Sequence, residues 1–384
     1  MKILIVFGTR PEAIKMAPLY HELCQSELSL FQSYQGVEDS KNKFEVKVCV
    51  TAQHRKMLDQ VLDFFEIVPD YDLNLMQPNQ TLNGLSANIL LKMDEVLIQE
   101  KPDLVLVHGD TTTSSMVALA AFHLGIKVGH VEAGLRTFNK HAPFPEEINR
   151  QITSRIADIH FTPTEQANRN LLKEGILQKN IVETGNTGID ALFWTLNKME
   201  TKNYTNPEIE QLKNSLPTNK KIVLVTGHRR ENFGEGFQNL CQALLKISER
   251  EDVVIIYPVH LNPNVKEIVY ELLSNKVNIQ LIPPVSYPTF VWLMQQSYLI
   301  VSDSGGIQEE APSLGKPVLV TRNVSERPEG VAAGFSTIVG TDKNEIIKNI
   351  QDIMDNFEGF GLQKNPYGDG NASRKIIEYL LNQA

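Results

Sequence analysis

Short apolar runs recur along the first half of the chain as KILIVFG, KVCVTAQ, DLVLVHGD, KVGHVEA, DIHFTPT and NIVETG. The first three are followed by helically spaced segments, EAIKMAPLYHELCQ, HRKMLDQVLDFF and TTTSSMVALAAFHLG. A strand that is apolar on both faces has to be covered on both faces. Strand-to-helix alternation joins such strands side by side, so the pattern predicts a parallel sheet covered by helices. A second series follows the polar passage METKNYTNPEIEQLKNSLPTNKK, with IVLVTG, VVIIYPV, IQLIPP, YLIVSDS and PVLVT as strands. NLCQALLKISE and GIQEEAPSLG supply helices between them.

Two α/β domains with a cleft between them account for this order. At 384 residues the chain is longer than one hydrophobic core usually serves, and its 42% apolar content is enough to fill two. The expected division is 1–186, 187–370 and a terminal helix over 371–384. That last segment, ASRKIIEYLLNQ, is amphipathic and suited to packing back on the first domain. SLFQSYQGVEDSKNKF is expected to be a surface loop.

Composition removes several classes of function. A formal charge of -9 argues against general nucleic-acid binding, which wants a positive face, but leaves room for a local anion site. Cys24, Cys49 and Cys241 form no CxxC pair and point to a reducing compartment. MKILIVFGTRPEAIKM meets charge at Arg10, unlike a signal peptide or a membrane span, so a cytoplasmic location without membrane insertion is expected. There is no zinc-spaced histidine and cysteine cluster, no HExxH and no GxSxG, so no metal site is expected.

In parallel sheets, residues just beyond the C-terminal strand ends face the ligand crevice. That rule selects Arg10 and Lys15 in GTRPEAIK, either as phosphate ligands or as a solvated pair. It selects His108 and Asp110 in LVHGDTTT; Asp110 suits either a helix cap or a substrate contact. Glu132, Arg136, His141, Glu146, Glu147 and Arg150 crowd into HVEAGLRTFNKHAPFPEEINR. In the second series it selects His228 in TGHRREN and Ser304, Gly305 and Gly306 in DSGGIQEE, where a glycine pair lets backbone approach a diphosphate. Glu310 lies further along that helix, and Arg327 in NVSERPEG is either a phosphate clamp or a surface arginine. The DSGG segment is neither a Walker A sequence nor a GxGxxG fingerprint, which favours a nucleotide sugar over ATP or NAD.

FGTRPEAIKMAPL, VTAQHRKMLDQVL, LVHGDTTT, GHVEAGLRT, PEEINR, TGHRREN, YPVHLNPNV and DSGGIQEEAPSLGKPVL, in this order, make the chain resemble the non-hydrolysing UDP-N-acetylglucosamine 2-epimerase family over almost its whole length. The resemblance implies two Rossmann-like domains in a GT-B arrangement, with the active site in the interdomain cleft and no cofactor. It implies reversible conversion of UDP-N-acetylglucosamine to UDP-N-acetylmannosamine through loss and return of UDP. It places Arg10 and Lys15 in the N-terminal ligand motif, and Asp110, Glu132, Glu146 and His228 among the catalytic residues. Ser304, Gly305, Gly306 and Arg327 then serve the diphosphate, Glu310 the ribose and Phe290 the uracil. Arg150 is expected to position the acids or phosphate. A homodimer is implied as well, with Gln53 and His54 near a second, regulatory site. Val285 stands where a relative can carry glutamine, so that contact is not carried over.

The C2 proton of such a sugar is poorly acidic, having no adjacent carbonyl. Coupling its loss to C1–O cleavage asks for two proton-handling groups and cations at the departing diphosphate. Glu132 and Glu146 are expected to divide the proton work, with Asp110 as a third participant and His228 at the phosphate. A hydrolysing epimerase, a related glycosyltransferase and a catalytically silent UDP-sugar sensor stand as alternatives.

Overall fold

KILIVF forms a strand because nearly every side chain in it is buried. As β1 (Lys2–Phe7) it is an interior strand of a seven-stranded sheet. In this computed structural model the described residues are 1–25, 44–51, 55–76, 80–325 and 327–383. Gln53 and His54, and the loop stretch proposed over 29–44 apart from Phe44, lie outside them. The chain divides into two units, Met1–Ala191 with Gly368–Ala384, and Leu192–Tyr367.

In the first unit β1 is followed by α1 (Arg10–Gln25), β2 (Glu45–Val50), α2 (Arg55–Phe64), β3 (Tyr71–Asp72), α3 (Leu82–Glu100) and β4 (Leu104–His108). Next come α4 (Thr112–His123), β5 (Lys127–Val131), α5 (Glu146–Ile156), β6 (Ile159–Thr162), α6 (Glu165–Lys173), β7 (Ile181–Glu183) and α7 (Thr187–Glu200), within which the division falls. The sheet order is β3-β2-β1-β4-β5-β6-β7, and every pairing is parallel. The order reverses between β1 and β4, which opens a crevice at their C-terminal ends. Leu4, Val6, Val105 and Val107 pack with Ile89, Met93, Val96 and Leu97 of α3 and Val117, Ala118 and Ala121 of α4. The small residues of α4 let that helix lie close to the sheet.

The second unit contains α8 (Pro207–Ser215), β8 (Lys221–Thr226), α9 (Glu235–Ile247), β9 (Val253–Pro258), α10 (Pro263–Leu273), β10 (Ile279–Ile282) and α11 (Tyr287–Gln296). It continues with β11 (Leu299–Ser302), α12 (Gly305–Glu310), β12 (Val318–Val320), α13 (Pro328–Ala332), β13 (Ser336–Ile338) and α14 (Lys343–Asn356). Its parallel sheet runs β10-β9-β8-β11-β12-β13, with the reversal between β8 and β11. The core is built from helical stripes: Phe237, Leu240, Cys241, Leu244 and Ile247 on α9, Val265, Val269 and Leu273 on α10, and Ile346, Ile350 and Met354 on α14.

The chain then returns to the first unit as α15 (Ala372–Leu381). Asp190 accepts the first amides of this helix, from Ser373 at 2.7 Å and Ala372 at 3.2 Å. Ile376, Ile377 and Leu380 are buried, and Tyr379 meets Phe161 edge-on at 5.8 Å. Burying the three aliphatic side chains contributes on the order of 5–9 kcal/mol before chain entropy is counted. Both sheets are Rossmann-like, the fold class expected from the sequence. Among the described residues no helix is long and apolar enough to cross a membrane.

Candidate active site

The first unit gathers its ionisable groups at the ends of β1, β4 and β5, neighbours in the sheet. Glu132 follows β5 directly and has a φ of 62°, a left-handed value that costs a non-glycine residue roughly 1–3 kcal/mol. Its Oε2 accepts from the Lys15 ammonium of α1 and, at 3.1 Å, from Asn186 Nδ2. Asn186 is fixed in turn by the Gly188 amide at 2.8 Å. His108 is buried at the end of β4, with Nε2 3.6 Å from the same oxygen, beyond a hydrogen bond. Lys15 therefore meets Glu132 as well as being a candidate phosphate ligand.

Asp110 belongs to a second cluster. It does not cap α4: Thr111 is the cap, its Oγ1 accepting from Ser114 N at 3.0 Å. The physical reason is register, since the adjacent threonine reaches the first-turn amide. Asp110 instead takes a 2.5 Å bond from Arg150 Nη2. Arg150 is buried on α5, where its Nη1 lies 3.5 Å from Glu147.

Glu147 is fully buried and organises the preceding loop. It accepts from the amides of Thr137 at 3.0 Å and Phe138 at 3.1 Å and from Gln151 at 3.0 Å. Glu146 opens α5 beside it, half-buried, behind Pro143 and Pro145. Arg136 turns away from these acids. Its guanidinium forks onto Glu174 at 2.7 and 2.8 Å, which pins the loop to α6. His141 is exposed.

Arg10 opens α1. Two residues further on is Glu12, which the strand-end rule does not select. It is buried and accepts from Gly8 N at 3.0 Å, Thr9 N and Oγ1 at 2.8 Å, and Thr111 Oγ1 at 2.6 Å. Burial pushes its carboxyl up to about 6, against the opposing effect of those donors. One carboxyl thus ties the turns after β1 and β4 together. The TRPE spacing of a capping box was the available signal for it.

In the second unit the strand ends around the β8/β11 reversal carry the polar groups. His228 follows β8, is stacked on His260 at 5.7 Å and leaves 42% of its side chain exposed. Partial desolvation moves its pKa below the ordinary value; the Asp303 charge opposes this, while Arg229, His260 and Arg322 add to it. Ser304 is the N-cap of α12 and its side chain makes no cap bond, leaving the first turn to Gly305 and Gly306. A Cβ at Gly305 would lie 2.5 Å from Arg327 Cζ, so only glycine lets the guanidinium lie over this turn.

Arg327 is buried, bonded through Nε to Glu309 Oε1 at 2.8 Å, and its carbonyl accepts from Tyr367 Oη at 3.0 Å. Glu310 is buried at the end of α12. Phe290 is half-buried in the first turn of α11. That turn is held by Glu208, which accepts from Ser286 and Thr289 hydroxyls at 2.6 Å. Among the described residues no group of three or more histidine, cysteine, aspartate or glutamate side chains is placed to hold a metal ion.

Comparison with known proteins places the chain in a family. The family profile described as UDP-N-acetylglucosamine 2-epimerase matches residues 38–381. The UDP-N-acetylglucosamine 2-epimerase of Escherichia coli K12 is 50% identical over 386 residues, covering 100% of this chain and 99% of that protein. The Campylobacter jejuni protein of the same name is 52% identical, covering 99% and 97%. The crystal structure of UDP-GlcNAc 2-epimerase from Neisseria meningitidis bound to UDP-GlcNAc superposes with a TM-score of 0.90 at 48% identity, covering 100% of both chains. The chain belongs to the UDP-N-acetylglucosamine 2-epimerase family.

Proposed function

We propose that this protein interconverts UDP-N-acetylglucosamine and UDP-N-acetylmannosamine by eliminating UDP and adding it back, without hydrolysis and without a cofactor. The observation that carries the reading is the placement of Glu132. This acid stands at a strand end between Lys15, Asn186 and His108, while Asp110 is held separately by Arg150. Carboxylates in unlike surroundings are what two opposite proton transfers require.

In the forward direction one carboxylate removes the C2 proton. The C–H electron pair forms the C1–C2 double bond as the C1–O bond breaks, and UDP leaves with that bond's electrons. The intermediate is 2-acetamidoglucal. A phosphate oxygen of UDP then re-adds to C1, and C2 receives a proton on its opposite face. Glu132 and Glu146 divide these transfers, with Asp110 as a third participant.

Negative charge develops on the departing diphosphate, so the Gly305–Gly306 turn, Ser304 and Arg327 are assigned there, with His228 assisting. Arg10 and Lys15 add positive charge, and Arg150 orients Asp110. Glu310 is assigned to the ribose hydroxyls and Phe290 to the uracil face. The product serves cell-envelope polysaccharide synthesis in the cytoplasm. A homodimer is supported by apolar side chains exposed on α3 and α4, Leu91 at 68%, Ile98 at 54% and Phe122 at 61%.

Chromatography of the products from UDP-N-acetylglucosamine tests the reading. UDP-N-acetylmannosamine is the expected product; free N-acetylmannosamine with UDP would replace the reading by hydrolysis. An unchanged sugar bound by the protein would make it a sensor.

A further inference from the structure

The parallel register of β8 and β11 pairs Thr226 with Ser302, so the residues that follow these strands emerge side by side. On one side are Gly227 and His228, on the other Asp303. Asp303 is fully buried, and its two oxygens are used differently. Oδ2 accepts from the backbone amides of His228 at 2.9 Å and Arg229 at 2.8 Å, with Asn232 Nδ2 at 3.4 Å. Oδ1 has no hydrogen-bond partner among the described residues and lies 3.3 Å from His228 Nδ1. Gly227 lies beside this pair, and a Cβ there would stand 3.1 Å from the Phe237 ring, a tight contact, and 3.5 Å from Asp303 Oδ2, an ordinary one.

A buried carboxylate oxygen left without a donor is costly, and the imidazole Nδ1–H is the donor set against it. We propose that Asp303 is a positioning residue for His228: Oδ1 accepts a hydrogen bond from Nδ1–H, which fixes the ring's tautomer and orientation and turns Nε2 toward a diphosphate oxygen, to which it donates once the ring is protonated. The inference deepens the role given to His228 under the proposed function and rests on it for the identity of the ligand. The stacked ring of His260 limits rotation of the imidazole, so the carboxylate sets which nitrogen faces inward.

The charged and titratable groups around this ring are Asp303 beyond β11, His260 beyond β9, Arg322 beyond β12 and the adjacent Arg229. Asp303 alone among them favours the protonated imidazole. Arg322 is itself engaged by Glu231 at 2.6 Å. Loss of the Asp303 charge therefore moves the ring's titration to lower pH.

Asp303→Asn is the informative change, because the carboxamide oxygen can keep the two backbone amides while its NH2 faces Nδ1. An amide donor there demands that Nδ1 accept, which drives the proton to Nε2. Nitrogen-15 NMR of histidine-labelled protein, with the His228 signals assigned by loss in His228→Gln, reads the tautomer directly. The wild-type neutral ring is expected to carry its proton on Nδ1. In Asp303→Asn it is expected on Nε2, with the titration shifted to lower pH. kcat is expected to fall on the order of 10–100-fold while KM changes less.

A wild-type ring protonated on Nε2 overturns the proposal, and that arm needs neither turnover nor a folded variant. An unmoved His228 titration in folded Asp303→Asn also overturns it. Absence of epimerase activity in the wild type would remove the proposed function while leaving the tautomer result standing.

Discussion

Replacing Gly305 with alanine adds one carbon where the Arg327 side chain already lies. The new Cβ would sit 2.5 Å from Cζ and Nη1 and 2.9 Å from Nε of Arg327. Ordinary carbon contact is about 3.5 Å, so the guanidinium has to retreat by about 1 Å. It cannot do so at no cost, because Nε is bonded to Glu309 at 2.8 Å and both partners are buried. A 1 Å displacement lengthens that bond out of hydrogen-bond range and weakens a buried charge pair, for which full rupture costs about 3–5 kcal/mol.

Partial relaxation leaves about 2 kcal/mol, which lowers the melting temperature by roughly 4–8 °C. Displacement of the clamp is expected to weaken UDP binding by about 10–30-fold, read by calorimetric titration. A double-mutant cycle isolates the cause. With Arg327→Ala in place, Gly305→Ala has nothing to strike and is expected to cost little further affinity. Wild-type melting and wild-type UDP affinity in Gly305→Ala would refute the reasoning, as would strictly additive losses in the cycle.

Glu147→Gln removes a buried acceptor from the Thr137 and Phe138 amides and loosens Arg150, so turnover is expected to drop at least about tenfold with UDP affinity unchanged. Steady-state kinetics beside UDP titration read that split; a parallel loss of both would assign Glu147 to global folding. Burial holds His160 at about 4, below the ordinary 6.5. Its stability contribution is complete above pH 6.5 and lost as pH falls toward 4, by about 3 kcal/mol. His160→Gln is expected to flatten denaturant-derived stability across that window, and an unchanged slope would contradict the shift. Glu12 has the opposite sign, since its carboxyl is raised from 4.5 to about 6. Its contribution is complete below 4.5 and lost by about 2 kcal/mol as pH rises through 6; Glu12→Gln should remove that decline, and its persistence would assign it elsewhere.

The alternation of apolar runs and helices was legible because buried strands such as KILIVF and VVIIYP carry little but apolar residues. β3 and β13 were not, being edge strands of two and three residues that present almost no pattern. Strand-end placement selected Glu132, Asp110 and His228, but their partners depend on sheet order. Lys15 and Glu132 are far apart in sequence, as are Asp303 and His228, and no spacing rule joins them. Local chemistry also has degenerate solutions. Asp110 and Thr111 are both capable caps, and only backbone register decides for Thr111. Within the charged HVEAGLRTFNKHAPFPEEINR segment, Arg136 and Glu147 are absorbed by Glu174 and by loop amides, which the residue types alone do not disclose. Glu12 carried a capping signature, whereas its burial and its bond to Thr111 emerge only from the fold.

Deuterium incorporation at C2 tests the proposed chemistry most directly. UDP-N-acetylglucosamine incubated with the protein in deuterated water and followed by proton NMR is expected to lose its C2 proton signal as UDP-N-acetylmannosamine forms, with deuterium at C2 of the product. Epimerisation that keeps protium at C2 throughout would contradict proton removal and return by the enzyme's carboxylates.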